Sequence, residues 1–122
     1  MTVDDINNRK YALTDLQLAN IVRLAKVVTE LEGSIGYAFT VTSGLRSAED
    51  QLKINPAKKL SAHLTGEAVD VADKNGEIYQ FCLDNINDII RLGLYLESRD
   101  YTPTWTHQTI RAPKSGNRFF IP

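Results

Sequence analysis

The chain has 122 residues, 43% of them hydrophobic and 24% charged, with a formal net charge of -1. This fits one domain over residues 1–122, long enough to bury a core, and excludes a disordered or fibrous chain. Near-neutral charge leaves no global attraction to nucleic acid or to an anionic membrane, and the single cysteine excludes an internal disulfide or a cysteine-rich zinc site.

The opening Met1-Thr2-Val3-Asp4-Asp5 is acidic and lacks the basic and apolar regions of a signal peptide. Synthesis in the cytoplasm is expected, so a substrate outside the cell would require delivery by another factor or in a virion. Thr14 offers an N-cap for a helix to about Glu32, with Leu16, Ala19, Ile21 or Val22, Leu24, Val27, Val28 and Leu31 on one face and Gly33 as its stop. Residues 37–42 alternate and are rich in aromatic and β-branched side chains, which predicts a strand. A short helix over Ala48–Ile54 precedes Pro56. A buried strand is expected within residues 66–72, then a turn at residues 74–77. Apolar residues at helical spacing predict one helix over residues 78–92, with Cys82 as a small core residue. Residues 94–97 and 105–110 read as strands and the tail as irregular. The Lys58-Lys59 pair and the looser set of Arg111, Lys114 and Arg118 read as a solvated face. No apolar run reaches membrane-spanning length, so no membrane insertion is expected. Irregularly alternating helices and short strands predict an α+β fold, a small antiparallel sheet flanked by helices.

The chemistry concentrates between residues 43 and 107. The only two histidines are His63 and His107. His63 sits in a polar loop, followed by Gly66 and a strand that presents Asp70 between Val69 and Val71. A carboxylate in that apolar setting is costly to bury without a cation. Alternation points Asp70 away from Val69, and His107 lies in a second strand-like run. Two imidazoles and one carboxylate are a usual protein ligand set of a catalytic zinc, with the fourth position left to water.

Three ordered motifs sharpen this reading: Ser43-Gly44-Leu45-Arg46-Ser47, then Ser61-x-His63-x-x-Gly66-x-Ala68-x-Asp70, then Trp105-x-His107. Together they resemble the D-alanyl-D-alanine metallopeptidase family. That family includes bacterial D,D-carboxypeptidases and dipeptidases and phage L-alanyl-D-glutamate endolysins, and shares its zinc fold with the Hedgehog signalling domain. Residues 101–107, followed by residues 115–118, resemble its compact phage-encoded branch. The resemblance implies a zinc-dependent hydrolase acting on the peptide part of peptidoglycan, at a bond with at least one D-residue, and a monomer is expected. It implies His63, Asp70 and His107 as zinc ligands and Arg46 as the binder of a substrate carboxylate and of the oxyanion. Ser61 would orient substrate or the His63 loop, or is a simple turn serine. Gln51 would line the cleft, or is an exposed helix residue. Glu67 reads as surface, and Trp105 as packing behind His107.

One departure concerns the general base. Many family members carry a glutamate three residues before the last histidine, where this chain has Thr104. Another branch places the acid at the end of the preceding strand. Residues 94–97 fit that arrangement, which makes Glu97 the expected base if this strand pairs with residues 105–110, with Asp100 as runner-up. Thr104 also keeps open a non-catalytic metal-binding structural or interaction protein on the same fold. A metal-free fold with His63 and Asp70 hydrogen-bonded is a third reading.

Overall fold

The computed structural model describes residues 1–57 and 60–122; the Lys58-Lys59 pair lies outside the described residues. A short helix, α1 (Val3–Ile6), which the sequence reading did not anticipate, precedes the long α2 (Asp15–Ile35). Thr14 and Gln17 cap α2 reciprocally: the Thr14 hydroxyl accepts from the Gln17 N–H, and the Gln17 side chain accepts from the Thr14 N–H. The helix runs through the expected stop at Gly33, because a lone glycine weakens a helix without ending it. It closes instead at Gly36, whose φ of +97 lies in the left-handed region. Ile21, Leu24, Ala25, Val28 and Leu31 form its buried stripe.

Five strands follow in the order β1-β2-β4-β3-β5: β1 (Val41–Ser43), β2 (Ala68–Ala72), β3 (Tyr95–Glu97), β4 (Trp105–Thr109) and β5 (Phe119–Phe120). All neighbours are antiparallel except β3 and β5, which run parallel. The α+β class is as expected, with a mixed sheet in place of a purely antiparallel one. The extra strand comes from the tail read as irregular, and two residues are too few to show alternation. The strand expected over residues 37–42 shortens to Val41–Ser43. Residues just before it turn back onto α2, where the Phe39 N–H donates to Glu32 Oε2 at 2.7 Å.

Between the strands, α3 (Ala48–Ile54) matches the expectation. The single helix expected over residues 78–92 is two, α4 (Glu77–Asp84) and α5 (Ile86–Leu92). Asn85 separates them, leaving the helical region and donating its side-chain amide to the Phe81 carbonyl at 2.9 Å. Cys82 is buried in the core, and burial pushes its thiol up to about 12. Among the described residues no helix is long and apolar enough to cross a membrane.

The stripe of α2 packs in one cluster with Val69, Val71, Leu94 and Leu96 of the sheet layer. Register places Val69 opposite Gln108, Leu96 opposite Gln108, and Leu96 opposite Phe119. Val69, Gln108, Leu96 and Phe119 therefore form one row across four strands, directed into the core.

Candidate metal centre

One step along each strand lies a second row, facing the other way. Asp70 pairs with His107, and Glu97 pairs with Phe120. Continuing the Leu96–Gln108 register by one residue sets Glu97 across from His107. Directly opposed residues share a face, so Asp70, His107, Glu97 and Phe120 point into a common space. Ser43 joins this row through an irregularity. Val41 pairs with Val71, which would set Ser43 against Val69, but a bulge between them brings Ser43 opposite Asp70. A β-bulge re-aims one side chain without disturbing the rest of the sheet. Here it turns the Ser43 hydroxyl from the core row to the polar row.

His63 comes from outside the sheet, on a short 3-10 turn, Ala62–Thr65. The Ser61 hydroxyl opens that turn by accepting the His63 N–H at 3.2 Å. The ring is 3% exposed, and its Nδ1 lies 2.8 Å from the Gly44 carbonyl oxygen. A carbonyl only accepts, so Nδ1 carries a proton there, and Nε2 is the ring nitrogen that faces Asp70. Gly44 reaches this position by passing close to α1, where a Cβ would collide with the Ile6 carbonyl. The backbone N–H of Arg46 also donates to the His63 carbonyl at 3.2 Å.

The Asp70 carboxylate is the meeting point. Its Oδ1 lies 2.8 Å from His107 Nδ1, and its Oδ2 lies 3.4 Å from His63 Nε2 and 3.5 Å from Arg46 Nη2. Burial alone would push this carboxyl up, but hydrogen bonds and positive charge from His107 and His63 outweigh it. The net result holds Asp70 well below the usual carboxylate range, ionised at any working pH.

Arg46 is pinned rather than free. Its Nε and Nη2 donate to Ser43 Oγ at 3.0 and 2.7 Å, and its Nη1 donates to Gln51 Oε1 at 3.0 Å. Burial draws its guanidinium below the ordinary value, against the pull of Asp70. Gln51 is 2% exposed and is the buried residue of α3, whereas Leu52 and Ile54 are each 50% exposed. The alternative of an exposed helix residue is thereby corrected: Gln51 sits behind Arg46 and supports it.

These side chains line a cleft of about 730 Å³, with Arg46, Gln51, His63, Asp70, Glu97 and His107 among its walls. Ser61 and Trp105 also line it, so Trp105 does more than pack behind His107. Asp100 is exposed and does not line the cleft. Thr104 is exposed in the turn before β4, where its carbonyl accepts from the Asp73 N–H at 3.0 Å. Two readings of surface are also corrected. Glu67 and Arg111 are half-buried and paired to each other at 2.8 Å, because Arg111 folds back across the end of β2. Ser43 opens the first sequence motif without a role of its own, and Phe120 was not singled out from the sequence. A serine just after an aromatic and β-branched run is a faint signal, and a two-residue strand gives none.

One ligand atom each from His63, Asp70 and His107 can be chosen so that all three lie within 4.8 Å of one another. Zinc is tetrahedral with bonds of about 2.0–2.2 Å, which sets its ligand atoms about 3.4 Å apart. The His63 Nε2–Asp70 Oδ2 separation of 3.4 Å equals that edge, while the 2.8 Å contact of His107 Nδ1 with Asp70 Oδ1 is a hydrogen bond that an ion would replace. His63 also has its other ring nitrogen held by a carbonyl, the usual outer support of a metal-bound imidazole. The residues present fit a zinc ion.

Comparison with known proteins finds that the family described as peptidase M15 matches residues 1–100. The match includes Arg46, Gln51, His63, Asp70 and Glu97; His107 lies beyond it and is brought to the others by the pairing of β2 with β4. No curated protein and no solved structure matches.

Proposed function

The chain belongs to the peptidase M15 family, and we propose that it is a zinc-dependent peptidase of the bacterial cell wall. On this reading it cuts the peptide part of peptidoglycan at a bond involving a D-residue, in the manner of a phage lytic enzyme. The observation that carries the proposal is the polar row Ser43, Asp70, His107, Glu97 across the sheet, met by His63 and Arg46 at the floor of one cleft.

His63 Nε2, an Asp70 carboxylate oxygen and His107 Nδ1 would hold the ion. A zinc there supplies a Lewis acid for the scissile carbonyl and lowers the pKa of a water to about 7. The remaining work falls to the chain. Arg46, held by Ser43 and Gln51, presents a fixed guanidinium to the substrate carboxylate and to the oxygen that gains charge as the carbonyl carbon becomes tetrahedral. Glu97, across from His107, takes a proton from the attacking water on its carboxylate. It returns that proton to the departing amine nitrogen as the C–N bond breaks. Ser61 acts through the His63 turn, by accepting the His63 N–H. Gln51 acts through Arg46.

The test is digestion of intact purified sacculi, read by mass spectrometry of the released muropeptides, beside the zinc content of the protein. Expected are one zinc per chain and new amine ends at one bond type, abolished by a chelator and restored by zinc. Thr104 supports a second reading, a metal-binding interaction protein without turnover. Stoichiometric zinc with no new amine ends would establish that reading instead.

A further inference from the structure

Asp70 and His107 are fixed relative to each other by direct pairing of their strands. His63 has no such support, since it rides on a 3-10 turn outside the sheet. The Gly44 carbonyl and the Arg46 N–H hold His63 itself from the β1 side; toward β4, among the described residues, the side-chain bonds to the chain around that turn come from one guanidinium. Arg111 donates Nε and Nη2 to Glu67 Oε1 at 3.1 and 2.8 Å, Nη2 to Thr65 Oγ1 at 2.9 Å, and Nη1 to the Leu60 carbonyl at 2.6 Å. Its neighbour Ile110 donates its N–H to the Glu67 carbonyl at 3.0 Å. The contacts thus reach the chain on both sides of His63 from the end of the strand that carries His107. On the far side of the turn, α2 supplies two amides: Gln17 Nε2 to the Leu64 carbonyl and Asn20 Nδ2 to the Thr65 carbonyl, each at 3.0 Å.

We propose that Arg111, with Glu67 as its anchor, is a positioning residue for the metal: its clasp sets His63 Nε2 at ligand distance from Asp70 and His107 before the ion arrives. The proposal rests on reading the three residues as a zinc site. A charged side chain half-buried in the cleft wall would ordinarily be assigned to substrate. Here, among the described residues, the hydrogen bonds of the guanidinium go to Leu60, Thr65 and Glu67, which flank His63 in the chain. Loss of outer-sphere support costs metal sites about 10–100-fold in affinity. Arg111 acts through Leu60, Thr65 and Glu67 and not on His63 itself, so the lower end of that range applies.

The experiment measures zinc affinity by competition with a chromophoric chelator, and the visible spectrum of the cobalt(II)-loaded protein, for the wild type, Arg111→Ala, Arg111→Lys and Glu67→Gln. Arg118→Ala serves as control, removing a guanidinium that bonds the Leu94 carbonyl and lies over the Tyr95 ring. Expected are about tenfold weaker zinc binding and an altered cobalt spectrum for Arg111→Ala, partial recovery in Arg111→Lys, and wild-type affinity in Arg118→Ala. Zinc affinity for Arg111→Ala within twofold of wild type, or an equal loss in Arg118→Ala, overturns the proposal, as does a change confined to KM. If Arg111→Ala does not fold, Arg111→Lys and Glu67→Gln decide by the same twofold criterion. A wild type that binds no zinc overturns the metal reading itself, and the clasp with it.

Discussion

Two neighbouring rows of the same sheet do opposite work. Val69, Gln108, Leu96 and Phe119 face the helices, and the first three are fully buried. Asp70, His107, Glu97 and Phe120 stand one residue away on each strand, one position on in β2, β3 and β5 and one back in β4, and face a cleft. Strand geometry alone makes this possible, because successive side chains leave a strand on opposite faces. The core row therefore locks the register that the polar row needs. A slip of one residue would bury Asp70 and His107 against α2 and turn Val69 and Leu96 into the cleft. The comparison separates two kinds of damage: changes in the polar row should remove chemistry from a folded protein, and changes in the core row should remove the fold and leave the chemistry of the surviving folded molecules intact.

The largest effect is expected at Asp70, the residue that touches both histidines and Arg46. Asp70→Asn removes the anionic ligand while keeping size and a hydrogen-bonding oxygen. Zinc affinity should fall more than about 100-fold, and hydrolysis should drop to background with the circular dichroism spectrum retained. Retained stoichiometric zinc in this variant would break the assignment of the polar row to metal binding.

Glu97→Gln is the next largest and divides the polar row within itself. Zinc content should stay at the wild-type level, while the hydrolytic rate falls by about 10²–10⁴, the range of general acid–base contributions. Undiminished turnover would remove Glu97 from the chemistry and leave it as a neighbour of His107.

In the core row, Leu96→Ala should cost about 2–5 kcal/mol of stability, since Leu96 is fully buried between two strands and the helix layer. Denaturant unfolding reads that loss, and zinc bound per folded molecule should not change. A lower zinc ratio at denaturant concentrations where the variant is fully folded would show that the two rows are not separable.

This division was partly legible in the sequence. The alternation of Val69, Asp70 and Val71 announces which side chain leaves the core, and residues 94–97 can meet residues 105–110 only if the strands pair, which they do. Other features depend on contacts that local pattern does not encode. The bulge that turns Ser43 into the polar row exists only once β1 has docked on β2. In α3 the hydrophobic pattern points the wrong way: Leu52 and Ile54 are half-exposed, while Gln51 is buried because Arg46 needs an acceptor there. Arg111 and Glu67 are 44 residues apart and read as two surface charges until the end of β4 crosses the end of β2.

The smallest effect is expected where the two rows run out. Glu67 continues the parity of Val69 and Val71, yet it lies just before β2 and carries a charge. Burial pushes its carboxyl up, but hydrogen bonds from Thr65 and Arg111 and the Arg111 charge bring it below the ordinary 4.5. A folded-state value below the unfolded one means that the folded protein gives up this proton first. The contribution is fully present above about pH 4.5, the ordinary value, and fades as pH falls through the lowered folded one. The pair is partly solvated, with side chains 36% and 21% exposed, so the effect should stay under about 1 kcal/mol. Thermal melting of the metal-free protein across pH 5 to about pH 3 should lose more stability for the wild type than for Glu67→Gln, whose amide cannot titrate. Parallel curves for the two proteins would mean that the Glu67–Arg111 contact holds geometry and contributes no net stability. Outer-sphere support of His63 would then be its whole effect.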